Sequence, residues 1–297
     1  MLTLIRRLAS LSVPAALALG IAPALAADPP AVVPVAVAPP ASVFDVAFGA
    51  KIQSDYNFRG ISQTDRRPGV AGYVELQAFE NLLYAGIAGY SVDLATRPAA
   101  EVDLTLGVRP KLGPFTFDFG AIFYWYPDER QYIDAAGTIW TPRNTDFTEL
   151  AAKVVYNHGD KLLLGANLFH AWDWLGSGAT GTYASVTAKW NLPFLEGLAL
   201  SGELGHYWLG TTSAYLGGLN LPDYTYWNAG LAYTFKTITL DLRYHDTDLS
   251  KQECFALTAD PRGIVSGSGR SRWCSQTFIA SLSVDLTASS LGVFAPR

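Results

Sequence analysis

Thirteen charged side chains fall at alternate positions of runs whose other positions are apolar: Asp45, Lys51, Glu75, Asp103, Arg109, Asp118, Glu149, Lys153, Lys189, Glu203, Asp241, Arg243 and Asp285. Eight are acids and five are bases. Arrayed along one face of an enclosed passage, such groups set a field rather than perform covalent chemistry, and the acid excess favours cations. They read as pore-lining residues. The alternative is a narrow, plugged interior in which they pair with one another, because unpaired buried charge is costly.

Other residues could do different chemistry. His170 and His206 lie in the apolar register near strand ends, where a lipid-facing catalytic histidine could sit. A lipid hydrolase also needs a serine nucleophile and an orienting group, and His206 is followed by Tyr207-Trp208-Leu209 instead. They read as interfacial histidines, and the chain is not read as an enzyme; no catalytic residue, metal ligand set or cofactor is assigned. The run His245-Asp246-Thr247-Asp248 could hold a hard cation, but a solvated strand end is the better reading. Cys254 and Cys274 share one long connection and, in an oxidising compartment, point to one disulfide; two reduced thiols are the alternative. Arginines gather in the long connections. Arg59, Arg66 and Arg67 are placed at the external mouth, where guanidinium could meet lipopolysaccharide phosphates. Pairing with Asp55, Asp65, Asp128, Glu129 and Asp260 competes with that reading.

The elements that must position these groups are read from period 2. In Val102–Tyr126, Val102, Leu104, Leu106 and Val108 alternate with polar or small residues. After Lys111-Leu112-Gly113-Pro114, Phe115, Phe117, Phe119, Ala121, Phe123 and Trp125 do the same. This spells a hairpin with one apolar and one polar face, in runs long enough to cross a bilayer at a tilt. The unit recurs as predicted strands from Phe44–Gln53 to Thr277–Leu286, with the register of the Leu82–Val92 strand left open. Short connections such as Glu80-Asn81 and Lys236-Thr237 alternate with long ones such as 55–68, 127–145 and 249–273. The resulting expectation is an all-β fold: a transmembrane antiparallel up-and-down β-barrel of about 12 strands, with tight turns at one end and longer loops at the other. A soluble sandwich is the competing architecture.

Composition agrees. Hydrophobic residues make up 49% and aromatics 13%, against only 16% charged, a poor balance for a soluble surface. Net charge is −5, and becomes −7 without Arg6 and Arg7 of the leader, so no basic stripe exists for nucleic acid. Arg6-Arg7, the apolar run Leu8–Ile21 and Ala24-Leu25-Ala26 form a signal peptide over 1–26. A Pro/Ala-rich periplasmic linker follows over 27–42, then the barrel over 43–287 and a C-terminal extension over 288–297. Trp125, Trp172, Trp174, Trp208 and Trp227 fall at the long-loop strand ends, and Tyr156 and Trp190 at the other, as interfacial girdles would.

Ser54-Asp55-Tyr56-Asn57-Phe58-Arg59-Gly60-Ile61-Ser62-Gln63-Thr64 resembles the opening signature of the TorF-type porins of Gram-negative bacteria. Glu101-Val102-Asp103-Leu104, Phe123-Tyr124-Trp125-Tyr126-Pro127 and Tyr244-His245-Asp246-Thr247-Asp248, followed by Cys254 and Cys274, match later blocks. The resemblance spans about Phe44 to Leu286 and implies an outer-membrane barrel and pore, without naming a substrate. One departure concerns the aromatic terminal residue that the barrel-assembly machinery reads: the last strand here fades into Thr287–Arg297, with Phe294 near but not at the end. The functional expectation is passive diffusion of small hydrophilic solutes with weak cation selectivity. A non-conducting adhesin, receptor or anchor is the alternative.

Overall fold

The computed structural model describes residues 43–159 and 161–293. The leader over 1–26, the linker over 27–42 and Phe294 lie outside the described residues.

Alternating runs become strands in the expected register. In chain order they are β1 (Phe44–Gln53), β2 (Gly69–Ala78), β3 (Leu83–Tyr90), β4 (Glu101–Val108), β5 (Phe115–Trp125) and β6 (Phe147–His158). Then follow β7 (Leu162–Ala171), β8 (Gly181–Asn191), β9 (Leu198–Leu209), β10 (Tyr224–Phe235), β11 (Ile238–Thr247) and β12 (Thr277–Thr287). Each pairs antiparallel with its sequence neighbours. β12 pairs back on β1, from Ala47↔Thr287 to Gln53↔Ser281, and closes a 12-strand up-and-down barrel. Closure satisfies every edge, which is what permits a sheet to sit in hydrocarbon. No helix among the described residues is long and apolar enough to cross a membrane.

The outward face is apolar and exposed: Leu104, Leu106 (62% exposed), Phe119, Leu204 and Leu240 all lack a protein partner layer. The open register of β3 resolves, with Ala88 and Tyr90 buried inward and Leu83 and Ile87 exposed outward. Three strands reach further toward the long-loop end than alternation indicated. β8 begins at Gly181, β9 ends at Leu209 and β10 begins at Tyr224. There Tyr183, Tyr207, Tyr224 and Tyr226 point inward and are buried, so both faces carry apolar bulk and the contrast that marks a strand is lost.

The packed core is therefore the lumen itself, at the long-loop half. It gathers Phe169, Tyr124, Phe147, Tyr183, Tyr207 and Tyr226 around the side chains of one inserted loop. The girdle reading holds at Trp125, Trp172, Trp190 and Trp208, all exposed. It fails at Trp174, which is buried edge-on to Tyr207 at 6.0 Å because the 3-10 turn Trp174–Gly176 folds it over the barrel mouth.

Candidate functional site

The connection between β1 and β2 carries the most specific stretch of the sequence, and it enters the barrel. Asn57↔Ser62 and Phe58↔Ile61 pair as a miniature hairpin. Its tip is Arg59-Gly60, both at positive φ (46° and 89°). A Cβ on Gly60 would lie 2.2 Å from Thr247 Cγ2, so glycine serves both the turn and the close approach to the wall.

Arg59 was placed at the external mouth by sequence; it is instead fully buried in the lumen. Its Nη1 and Nη2 donate to Glu149 Oε1 and Oε2 at 2.7 and 2.9 Å, a bidentate pair. Nη1 also donates to Tyr207 Oη at 3.0 Å. The guanidinium lies 4.4–5.0 Å from the ring centroids of Phe58, Phe169, Tyr183 and Tyr207. Tyr124 and Tyr207 hydroxyls donate to the same carboxylate at 3.1 Å each. A loop read as exterior goes inside because Glu149 needs a cation and the barrel interior needs filling. The signal was present in Tyr56, Phe58 and Ile61, apolar bulk that a solvated loop has no use for.

The rest of the loop is tied to the wall. Tyr56 stacks on Tyr90 at 4.9 Å, and its hydroxyl donates to Glu101, which also accepts from Tyr126 Oη at 2.9 Å. Asp55 accepts from Ser62 Oγ at 2.6 Å and Thr64 Oγ1 at 2.9 Å, while burial pushes its carboxyl above the ordinary range.

A second loop holds the first in place. Between β11 and β12 lie α1 (Lys251–Thr258), begun by a Ser250/Glu253 capping box, and α2 (Pro261–Val265). The Cys254–Cys274 disulfide, with Cα atoms 5.8 Å apart, joins α1 to the strand-proximal end of this loop. Beside it, Trp273 O accepts from Ser62 N at 2.9 Å and from Arg66 Nη2 at 2.8 Å. Arg66 also donates to the carbonyls of Arg272 and Ser275, and Trp273 Nε1 donates to Asp65 at 2.8 Å. Arg66 is thus a clamp rather than a free mouth charge. Arg67 is exposed as expected, though paired with Asp65 and Asp93 at 3.3 and 2.9 Å. Arg262 pairs with both Asp65 and Asp260.

All thirteen inward positions face the lumen side of their strands, but they divide by depth. In the long-loop half Asp103, Glu149 and Glu203 are buried, so they line packed protein and not an open pore. Glu203 accepts from Tyr183 Oη at 2.9 Å. Toward the short-turn end, Arg109 bonds Glu75 at 2.7 and 2.9 Å and Asp118 at 3.0 Å, stacked over Tyr84 at 3.6 Å. Asp118 also accepts from Tyr84 Oη, and Lys153 Nζ lies 3.8 Å from it. Arg243 pairs with Asp241 at 2.9 Å and bonds Ser201 and Asn228. Asp285 accepts from Tyr73 Oη at 3.0 Å. Lys51 and Lys189 are half-buried on the same face. Asp45 is turned to the barrel rim, where it accepts from Ser289. Buried pairing therefore describes Glu149 with Arg59 and the Arg109–Glu75–Asp118 cluster, while Arg243 and Asp241 keep partial exposure of 20% and 19%.

The histidines sort by face. His170 and His206 point outward, bonded to Thr182 and Thr225 and edge-on to Trp172 and Trp208. In the His245–Asp248 run, His245 is buried inward against Tyr226 Oη at 2.8 Å, while Asp246 accepts from Tyr244 Oη and Asp248 from Thr225 N. The strand's alternation divides that run between its two faces, and buried His245 departs from the solvated strand end expected there. Glu101, Tyr124, Tyr126 and Tyr207 complete the lumen site and were not singled out from sequence; a carboxylate facing several inward tyrosines is visible only once strands are aligned.

The fold is shared with solved barrels. An outer-membrane channel from Pseudomonas putida F1 aligns at a TM-score of 0.50 with 14% identity, covering 85% of this chain and 100% of that one. The NanC porin aligns at 0.48 with 12% identity, covering 82% of this chain and 100% of that one. The KdgM porin, crystallised in complex with disordered oligogalacturonate, aligns at 0.46 with 8% identity, over 81% and 98%. At such identities the likeness concerns fold alone. No curated protein matches the sequence. A family model matches residues 37–270, and the chain belongs to that family, Gcw_chp, described as bacterial proteins of unknown function.

Proposed function

We propose that this chain is an outer-membrane, porin-like channel for small hydrophilic solutes whose lumen is constricted at the external end by its own first loop. The observation that carries the reading is a closed barrel with an apolar belt outside and charged side chains inside, of which Arg243 and Asp241 keep 20% and 19% of their surface exposed. Short turns at the periplasmic side and long loops outside are the sidedness such barrels adopt. The sequence resemblance to TorF-type porins and the leader over 1–26 support the same placement. Lipid at the apolar belt, the barrel-assembly machinery and small solutes are the partners this reading implies. With eight inward acids against five inward bases, the proposed selectivity is weakly cationic. Lipopolysaccharide phosphates remain a proposed partner for Arg67 alone of the three mouth arginines, since Arg59 and Arg66 face protein.

The test is conductance of purified protein in planar bilayers. Small cation-selective steps support the channel. A second reading, a non-conducting barrel, is favoured by one observation, the complete burial of the Arg59–Glu149 pair across the lumen. Insertion without current in the native protein, and in every variant that releases the Arg59–Glu149 latch, supports that reading instead.

A further inference from the structure

Directly below the inserted loop lies a cavity of about 70 Å³. Asp103 lines it, has no exposed surface, and neither carboxylate oxygen has a hydrogen-bond partner among the described residues. That is an exceptional position for an acid, since a buried carboxylate without a donor bears its full desolvation cost. The neighbouring acids are provided for. Glu149 has Arg59 and two tyrosines, and Glu101 has Tyr56 and Tyr126. Two cations also border the cavity, but Arg109 is bound to Glu75 and Asp118, and Lys153 is turned to Asp118. Those four charges balance, which leaves Asp103 as the cavity's acid without a counter-charge.

Around that carboxylate the walls are aromatic: Phe58 from the inserted loop, Tyr84 and Tyr90 from β3, and Tyr124 from β5. One carboxylate beside aromatic side chains suits an organic ammonium, which takes a charge-assisted N–H bond on one side and contact with the rings on the others. It does not suit a divalent metal. Among the described residues no three His, Cys, Asp or Glu side chains converge as such an ion requires. We infer that this cavity is a binding site for a small protonated amine, with Asp103 as its anionic anchor and the inserted loop as its roof. One water needs about 10–15 Å³ of such space, so the cavity admits an ammonium head with one or two carbons.

The inference goes beyond the channel reading and does not need the barrel to conduct. It is tested on the full barrel purified in detergent, with methylammonium as the probe and saturation-transfer NMR on its methyl group. Native protein is expected to bind saturably. Asp103→Asn, which keeps the shape and removes a buried charge, should weaken binding at least tenfold, whereas Asp241→Asn, altering a partly exposed lumen acid, should leave it unchanged. Ala88→Leu keeps Asp103 and fills the space opposite it, since Ala88 and Asp103 are cross-strand partners, and should abolish binding. Heat-modifiable gel mobility verifies that each variant is folded. Potassium at equal concentration should not displace the probe. No saturable signal in the native protein, or unchanged binding by Asp103→Asn, overturns the proposal. Equal displacement by potassium overturns the assignment to amines. Absence of current in a bilayer bears only on the channel reading.

Discussion

Arg59→Ala removes the cation that faces Glu149 at bidentate distance. Left behind is a fully buried carboxylate with two tyrosine donors at 3.1 Å. Removing one partner of a buried pair costs roughly 3–5 kcal/mol. The retained tyrosines place this case near the lower limit, about 3 kcal/mol, equivalent to roughly a hundredfold shift between a seated and a withdrawn loop. The penalty falls on loop seating because the barrel's ladder bonds lie elsewhere, in strands that the substitution does not touch. The truncation also vacates the space between the Phe169, Tyr183 and Tyr207 rings, widening the passage directly. Single-channel recording should therefore show larger or longer openings for Arg59→Ala than for the native protein, with heat-modifiable mobility unchanged. The companion Glu149→Gln on the Arg59→Ala background removes the orphaned charge, so it should restore part of the seating. An Arg59→Ala barrel that is folded and conducts no more than the native one refutes the latch. Equal conductance in the single and double variants refutes the electrostatic account of it.

Reduction of Cys254–Cys274 should loosen the clamp on Ser62 and Arg66 and raise conductance while the barrel stays folded; the link closes a loop of 20 residues and contributes about 3 kcal/mol in the chain-entropy account. Freely alkylated thiols in protein from intact membranes would end that claim. Gly60→Val meets both a positive φ and the Thr247 methyl, so it should mimic unlatching; normal closure would mean the tip is not seated as described. Leu106→Asp should hinder bilayer insertion by about 2 kcal/mol or more near the midplane, and a water-soluble maleimide should label Asp241→Cys but not Leu106→Cys; the opposite pattern would invert the faces. Asp241→Asn with Asp285→Asn should move the reversal potential toward zero, and raised salt should act in the same direction by screening. Anion selectivity in the native channel would show that the acid excess does not govern permeation.

What the chain reveals locally is which face each residue takes. Leu104 and Leu106 against Asp103 and Thr105 needs only the two-residue repeat of a strand, and that repeat survives any tertiary arrangement. Loop lengths and the single cysteine pair are equally local, which is why strand number, the grouping of short turns at one end and long loops at the other, and the disulfide were legible. The repeat is blind where both faces carry bulk, as at Tyr183, Tyr207 and Tyr226, so the long-loop ends of three strands were drawn short. Arg59 shows the other limit. Its sequence neighbourhood gives a turn flanked by aromatics, but the partner that decides its fate, Glu149, is 90 residues away and four strands around the wall from β2. Only closure of the barrel sets the distance across the lumen, and with it which charges meet, which are roofed over, and which, like Asp103, meet none among the described residues. Whether an inward acid lines water or protein is decided by what fills the space opposite, and the order of residues along a strand does not contain that space.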